Sequence, residues 1–197
     1  MVWDASLKRN KIDKEKQLGA NLQNSGLVVL KNTTHEDSRG YFRERYNPLN
    51  LKELHSPKFV QENYSISNKG VIRGLHWQVN PQPQAKLVTC LKGNIFDVVL
   101  DIRKTSITFG KFFEIELNEF ENVSLWIPAG FAHGFQSLEK DSIVVYSTTS
   151  IYSLENSRSI NPLDARLGIQ WPLSRKFLGK QDEISPNFNE VEEKDFF

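Results

Sequence analysis

The hydrophobic pattern of this chain changes character near residue 25. Met1 to Asn24 is polar and charged without apolar periodicity, and reads as an arm or short helix outside the main fold. From Leu27 onward, short apolar runs follow one another, separated by Gly, Asn, Asp and Pro. Leu27 to Leu30 is the first run. Lys86 to Leu91 and Asn94 to Ile102 flank Lys92-Gly93 with the spacing of a β-hairpin. Within the second arm, Asp97, Val99 and Asp101 share one parity, and Phe96, Val98 and Leu100 share the other. That period of two marks a strand with unlike faces. Phe112 to Leu117, Val123 to Ile127, Phe135 to Leu138 and Ile143 to Tyr146 continue the series. Many short strands at regular spacing predict an all-β sandwich or barrel. Short helices fit only at Pro48 to His55 and beyond Pro186, and the charged run Glu190 to Asp195 reads as a solvated end. The pattern divides the chain into a polar extension over 1–24, a β domain over 25–188 and an acidic tail over 189–197.

Composition narrows the function classes. At 197 residues the chain suits one domain with a full core. A net charge of +1 argues against a broad basic surface for nucleic acid, while leaving room for a local phosphate pocket. The single cysteine, Cys90, lies in an apolar run and reads as a buried structural thiol; alone in its chain, it has no internal disulfide partner. Residues Ser6 to Gln17 lack the apolar segment of a signal peptide or membrane span, so no membrane partner and a cytoplasmic location are expected.

The chemistry concentrates in Gly70-Val71-Ile72-Arg73-Gly74-Leu75-His76-Trp77-Gln78, followed by Lys86. An imidazole titrates near neutrality and can take a carbon-bound proton, and a nearby ammonium can hold the charge left on oxygen. Those are the needs of proton abstraction beside a carbonyl. A second segment, Pro128-Ala129-Gly130-Phe131-Ala132-His133, resembles the second motif of cupins, which are jelly rolls. In metal-binding cupins this histidine joins an H-x-H pair, but here the first motif reads His76-Trp77-Gln78 and lacks the second histidine. A three-histidine site would have to recruit His35 or His55 from polar segments, and no cysteine spacing for a structural metal exists. No metal is therefore expected, and His133 reads as a hydrogen-bonded histidine beside a cavity.

Six blocks occur in a telling order: Arg39-Gly40-Tyr41-Phe42-Arg43-Glu44, Gly74-Leu75-His76, Lys86-Leu87-Val88, Phe96-Asp97-Val98, Trp126-Ile127-Pro128 and Phe131-Ala132-His133-Gly134-Phe135. Together, over about Gly26 to Phe188, they resemble the dTDP-4-dehydrorhamnose 3,5-epimerase family. The resemblance implies an all-β, cupin-like jelly roll (a double-stranded β-helix) with a few short terminal helices. It implies an isomerase that inverts C3 and C5 of a nucleotide-linked 4-keto-6-deoxyhexose, with no cofactor. It also implies a homodimer, in which an N-terminal strand of one subunit completes the nucleotide site of the other.

Residue by residue, the resemblance implies that His76 is the base, Tyr146 the acid on the opposite face, and Lys86 the cation at the enolate oxygen. Arg73 falls at the diphosphate, Arg39 and Glu44 at the nucleotide end, Gln61, Asn63 and His133 along the pocket, and Tyr152 against the thymine. A histidine base leans on a carboxylate. Asp182, in Leu178 to Pro186, matches that position better than Asp164 in Asn161-Pro162-Leu163-Asp164. Without the resemblance, Tyr146 reads first as a core aromatic, and Lys86 reads equally as an edge-strand lysine, Arg73 and Asp97 as ion-pair partners. The chain departs from the family pattern at Tyr64, Ser147 and Ile151, and at Asn161-Pro162, where a tryptophan is usual. These departures bear on the sugar and the nucleotide, not on the acid, the base or the cation. Two rival functions remain open on the same scaffold: a metal-dependent cupin enzyme, and a non-enzymatic sugar-nucleotide-binding module.

Overall fold

The computed structural model describes residues 25–31, 33–47, 51 and 57–197. The N-terminal extension and, Leu51 apart, nearly all of the helix expected at Pro48 to His55 lie outside the described residues. The described chain is an all-β jelly roll. Its strands are β1 (Val28–Lys31), β2 (Thr34–Asp37), β3 (Gly40–Arg43), β4 (Gln61–Ser67), β5 (Ile72–Gln78), β6 (Lys86–Lys92) and β7 (Asn94–Asp101). They continue as β8 (Phe112–Asn118), β9 (Val123–Ile127), β10 (Phe131–Ser137), β11 (Ser142–Thr148) and β12 (Ser157–Ser159), before one helical turn, α1 (Lys180–Glu183). One five-stranded sheet runs β1-β9-β6-β11-β4, the other β12-β5-β10-β7-β8, and β2-β3 forms a separate hairpin.

The hairpin expected at Lys92-Gly93 is not one. β6 pairs with β9 and β11, β7 with β8 and β10, so the chain crosses from one sheet to the other at Gly93. Gly93 has φ +76° there, and a Cβ would lie 2.6 Å from the Ser142 hydroxyl, so the corner needs glycine. Local sequence cannot separate the two cases, because a corner and a hairpin both need a glycine between apolar runs. The partner strands decide it.

The alternation in β7 proves real, but both of its faces are buried. Ile95 and Val99 point between the sheets, where they meet Val88, Cys90, Leu125 and Val144 of the first sheet. Phe96, Val98 and Leu100 point outward with Ile72 and Trp77, under Ile160, Trp171 and the C-terminal segment. That segment corrects the expectation of a solvated tail. Phe188, Val191, Phe196 and Phe197 pack on the outer layer, and Phe197 exchanges main-chain hydrogen bonds with Ile102 (3.0 Å) and Lys104 (2.6 Å). The Asp195 carbonyl accepts from Trp77 Nε1 at 2.9 Å, and its carboxylate pairs with Arg158 at 2.7 Å. Charge counting over 189–197 missed Val191, Phe196 and Phe197, which with Phe188 remove from water a sheet face that would otherwise be exposed. Beyond Pro186 the expected short helices appear as single 3-10 turns, Phe188–Glu190 and Glu193–Asp195. No helix among the described residues is long and apolar enough to cross a membrane.

A bulge between β5 and β10 sets up the site. Their register slips between His133 and Phe135, so that His133 stands opposite His76 and Phe135 opposite Arg73. The strands approach so closely that a Cβ on Gly74 (φ +107°) would sit 2.5 Å from the His133 carbonyl oxygen. A Cβ on Gly134 would meet the Arg73 carbonyl oxygen at the same 2.5 Å. Two facing glycines thus admit the bulge, and the bulge re-aims the histidines.

Candidate active site

A cavity of about 420 Å³ opens between the two sheets. The second sheet contributes Arg73, His76 and Gln78 from β5 and His133 and Phe135 from β10. The first contributes Gln61 and Asn63 from β4, Lys86 from β6 and Tyr146 from β11. Tyr152, half-exposed, stands at the mouth, and α1 brings in Gln181 and Asp182.

His76 Nε2 lies 2.6 Å from Asp182 Oδ1. Asp182 is buried, and its Oδ2 accepts the Gly74 amide at 3.4 Å, so one carboxylate ties the ring to its own strand. An ionised carboxylate only accepts, which puts the ring proton on Nε2 and leaves the Nδ1 lone pair for chemistry. Asp164, the other candidate, is elsewhere: its carboxylate accepts the amides of Arg166 and Phe188, both at 2.9 Å, and holds the C-terminal segment.

Behind His76 lies a buried polar group. Lys86 Nζ donates to the His76 carbonyl oxygen at 3.0 Å. Burial pushes the lysine down to about 8, and the negative charge of Asp97 works against that shift. Asp97 is fully buried on β7, with Oδ2 2.8 Å from His133 Nε2. Its burial raises the carboxyl pKa, against the pull of His133 and Lys86. Tyr146 faces this group from the first sheet. Burial raises its phenol, partly opposed by the charge of Arg73, so the phenol keeps its proton at neutral pH. Arg73 in turn donates from Nε to Ser67 Oγ at 3.0 Å.

The structure therefore brings His76, Asp182, Lys86, Tyr146, Arg73, Gln61, Asn63, His133 and Tyr152 to one cavity. It does not bring Arg39 or Glu44 there. Arg39 sits at the tip of the β2-β3 hairpin, its side chain 87% exposed and bonded to Asp37 at 2.6 Å, while Glu44 accepts from Asn47 at 3.1 Å. Residue-type reasoning missed Gln84, Ser157 and Gln181, which also line the cavity and are polar side chains of no marked chemistry. Gln78 was singled out only for the histidine it replaces. Among the described residues no third histidine joins the facing pair His76 and His133: each of the two holds its own aspartate, His35 lies against Phe42 on the separate hairpin, and His55 lies outside the described residues. Among the described residues no three His, Cys, Asp or Glu side chains are grouped to hold a metal.

This geometry can move protons on two faces of one small molecule. An imidazole stands on one sheet and a protonated phenol on the other, and the buried Lys86, on the phenol's sheet, reaches the main chain of the imidazole residue.

Comparisons with known proteins point to one family. Residues 21–190 match the family model described as dTDP-4-dehydrorhamnose 3,5-epimerase. The dTDP-4-dehydrorhamnose 3,5-epimerase of Shigella flexneri is 45% identical over 158 residues, 79% of this chain and 87% of that protein. The enzyme of the same name from Salmonella typhimurium is 43% identical over 163 residues, 81% and 89% of the two chains. The crystal structure of dTDP-6-deoxy-D-glucose-3,5-epimerase from Legionella pneumophila, in complex with dTDP-4-keto-L-rhamnose, superposes with a TM-score of 0.84 at 38% identity, covering 88% of this chain and 94% of that one.

Proposed function

The chain belongs to the dTDP-4-dehydrorhamnose 3,5-epimerase family, and from that premise we propose how its own residues invert C3 and C5 of dTDP-4-keto-6-deoxyglucose. His76 Nδ1 takes the proton from the carbon beside the C4 ketone. The C–H electron pair moves into the ring, and the carbonyl electrons move onto O4. Lys86, protonated, neutralises the enolate oxygen. Tyr146 then delivers its phenolic proton to the opposite face of the same carbon, and solvent reprotonates the phenolate while the imidazolium releases its proton. The cycle repeats at the second carbon. Asp182 holds the imidazole and steadies its charged form. No step calls for a cofactor.

The observation that carries this reading is the placement of base and acid on different sheets across one cavity: His76 on β5 and Tyr146 on β11. A binding module has no need of opposed acid and base. Arg73 at the cavity would meet the diphosphate, and the Tyr152 ring at the mouth would meet the base of the nucleotide. The test is incubation with dTDP-4-keto-6-deoxyglucose in deuterated water, read by NMR. The expected result is deuterium at C3 and C5 with inversion at both. Recovery of unlabelled substrate would overturn the assignment, and label with inversion at one carbon only would restrict it to a mono-epimerase.

Arg39 and Glu44, away from this subunit's cavity, suit a role in a partner's. Among the described residues β4 is an edge strand, with Tyr64 (72% exposed) and Ile66 on its outer face and Val60 just before it, and the β2-β3 hairpin exposes Tyr41 and Phe42. An unpaired edge beside exposed aromatics favours association with a second copy. The expected assembly is a homodimer in which the hairpin of one subunit closes the nucleotide end of the other. Light scattering at micromolar concentration should give twice the chain mass; a fully active monomer would contradict it.

A further inference from the structure

The main chain of residues 150–153, which follow β11 and carry Tyr152 to the cavity mouth, makes no hydrogen bond to other main chain among the described residues. Packing does not hold them either, since Ile151, Tyr152 and Leu154 are all exposed. Side chains fix them instead: Ser150 Oγ donates to the Pro83 carbonyl oxygen (2.7 Å), Thr148 Oγ1 to the Ser150 carbonyl oxygen (3.0 Å) and Asn156 Nδ2 to Ser153 Oγ (2.8 Å), and three glutamines hold the main chain around Tyr152. Gln78, the last residue of β5 and buried, donates from Nε2 to the Ile151 carbonyl oxygen (3.2 Å) and to that of Gln82 (2.9 Å). Its Oε1 accepts the Ser153 amide at 2.8 Å. Gln61, on β4 of the opposite sheet, accepts the Tyr152 amide at 2.8 Å through Oε1 and donates to Asn63 Oδ1 at 2.8 Å. Gln84 donates to the Ser150 carbonyl oxygen at 2.8 Å.

We propose that Gln78, assisted by Gln61 and Gln84, is a positioning clamp that locks the 150–153 segment into the rim that receives the nucleotide end of the substrate. A carboxamide suits this task because it offers two donors and an acceptor in one plane, so a single side chain grips the main chain on both sides of Tyr152. Both Nε2 hydrogens of Gln78 are already committed to carbonyls, so it has no donor left for a ligand. It acts through Tyr152 and is not a catalytic residue. Gln78 also lies two residues from His76 on the same strand face, so the clamp ties the rim to the strand that bears the base. An exposed segment left without these bonds would have to be ordered by the substrate, which weakens binding and not the proton transfer itself.

The role of the rim rests on the epimerase reading above; the clamp itself does not. Gln78→Met keeps the side-chain length and removes all three hydrogen bonds. For dTDP-4-keto-6-deoxyglucose, KM should rise about 10- to 100-fold while kcat stays within about threefold, in line with the loss of several hydrogen bonds of modest strength. In the full-length protein without substrate, hydrogen exchange at the Ser153 amide should quicken about tenfold or more. An unchanged KM, a fall in kcat at constant KM, or an unchanged exchange rate would each overturn the proposal. A wild-type protein that leaves the sugar nucleotide untouched would sink the epimerase reading, and the exchange measurement would still decide the clamp. Should Gln78→Met fail to fold, Gln84→Met removes only the bond to Ser150. It should raise KM in the same direction by less, and no rise there would overturn the clamp.

Discussion

Replacing Tyr146 with phenylalanine should convert inversion into exchange with retained configuration. The variant keeps His76, its Asp182 partner and the Lys86 charge, so the C–H bond still opens and the enolate still forms. What it lacks is the proton on the far side. His76 can then only return a proton to the face it came from, and its imidazolium exchanges with solvent meanwhile. In deuterated water the sugar should gain label without changing hand. His76→Ala should behave differently, with neither label nor epimer, because no carbanion forms. Loss of a general base is expected to lower the rate by about 10²–10⁴-fold, and more if water cannot substitute. The contrast is stronger than either rate alone. A Tyr146→Phe variant that inverts both carbons at near wild-type rate would show that this tyrosine only fills the cavity wall.

Lys86→Met should cut kcat about 10²–10³-fold, the usual cost of removing one donor aimed at a developing oxyanion. It should also make the protein more stable. Burial lowers the lysine from its ordinary 10.5 to about 8, so keeping it charged in the folded state at pH 7 costs about 3 kcal/mol. Between about pH 8 and 10.5 the folded lysine is neutral while the unfolded one is charged, so the unfolded chain binds more protons and stability rises with pH. The advantage of methionine is therefore full below about pH 8 and fades toward pH 10.5. Asp97 loses a neighbouring cation in the variant, and its burial-raised carboxyl can respond by taking up a proton. Urea denaturation at pH 7 and pH 10 measures the effect. Activity should carry the same titration with the opposite benefit: as pH rises through about 8 the wild type loses the ammonium and kcat/KM falls, and Lys86→Met should lack that alkaline limb. A variant less stable than wild type at pH 7 would mean that the lysine's bond to His76 outweighs its desolvation.

The sequence alone determined the all-β class, because period-two alternation and glycine-separated apolar runs are local consequences of strand geometry. It also marked the carriers of chemistry. His76 and His133 stand out by residue type and by the glycines around them, and Lys86 as a cation at the head of an apolar run, whereas Tyr146 became a candidate only through a family resemblance, since a tyrosine in an apolar run reads first as core. Tertiary structure decided what lies across from what. Lys92-Gly93 carries a hairpin's signature yet turns a corner between sheets, since pairing depends on strands remote in sequence. The tail's three apolar side chains, Val191, Phe196 and Phe197, read as charged surface until the outer face of β7 is seen to need a cover. Asp182 and Asp164 compete in sequence, where a short tail motif favours Asp182, and the 2.6 Å approach to His76 decides between them. Nothing in the sequence marks Gln61, Gln78 and Gln84 as a group: Gln61 is a pocket position by resemblance and Gln78 the place of a missing histidine, because an amide's partners show only through the particular main-chain groups it reaches. Strand and turn preferences act between near neighbours and can be read along the chain; a cavity, a dyad and a clamp are contacts between distant segments, and they exist only once the sheets have closed.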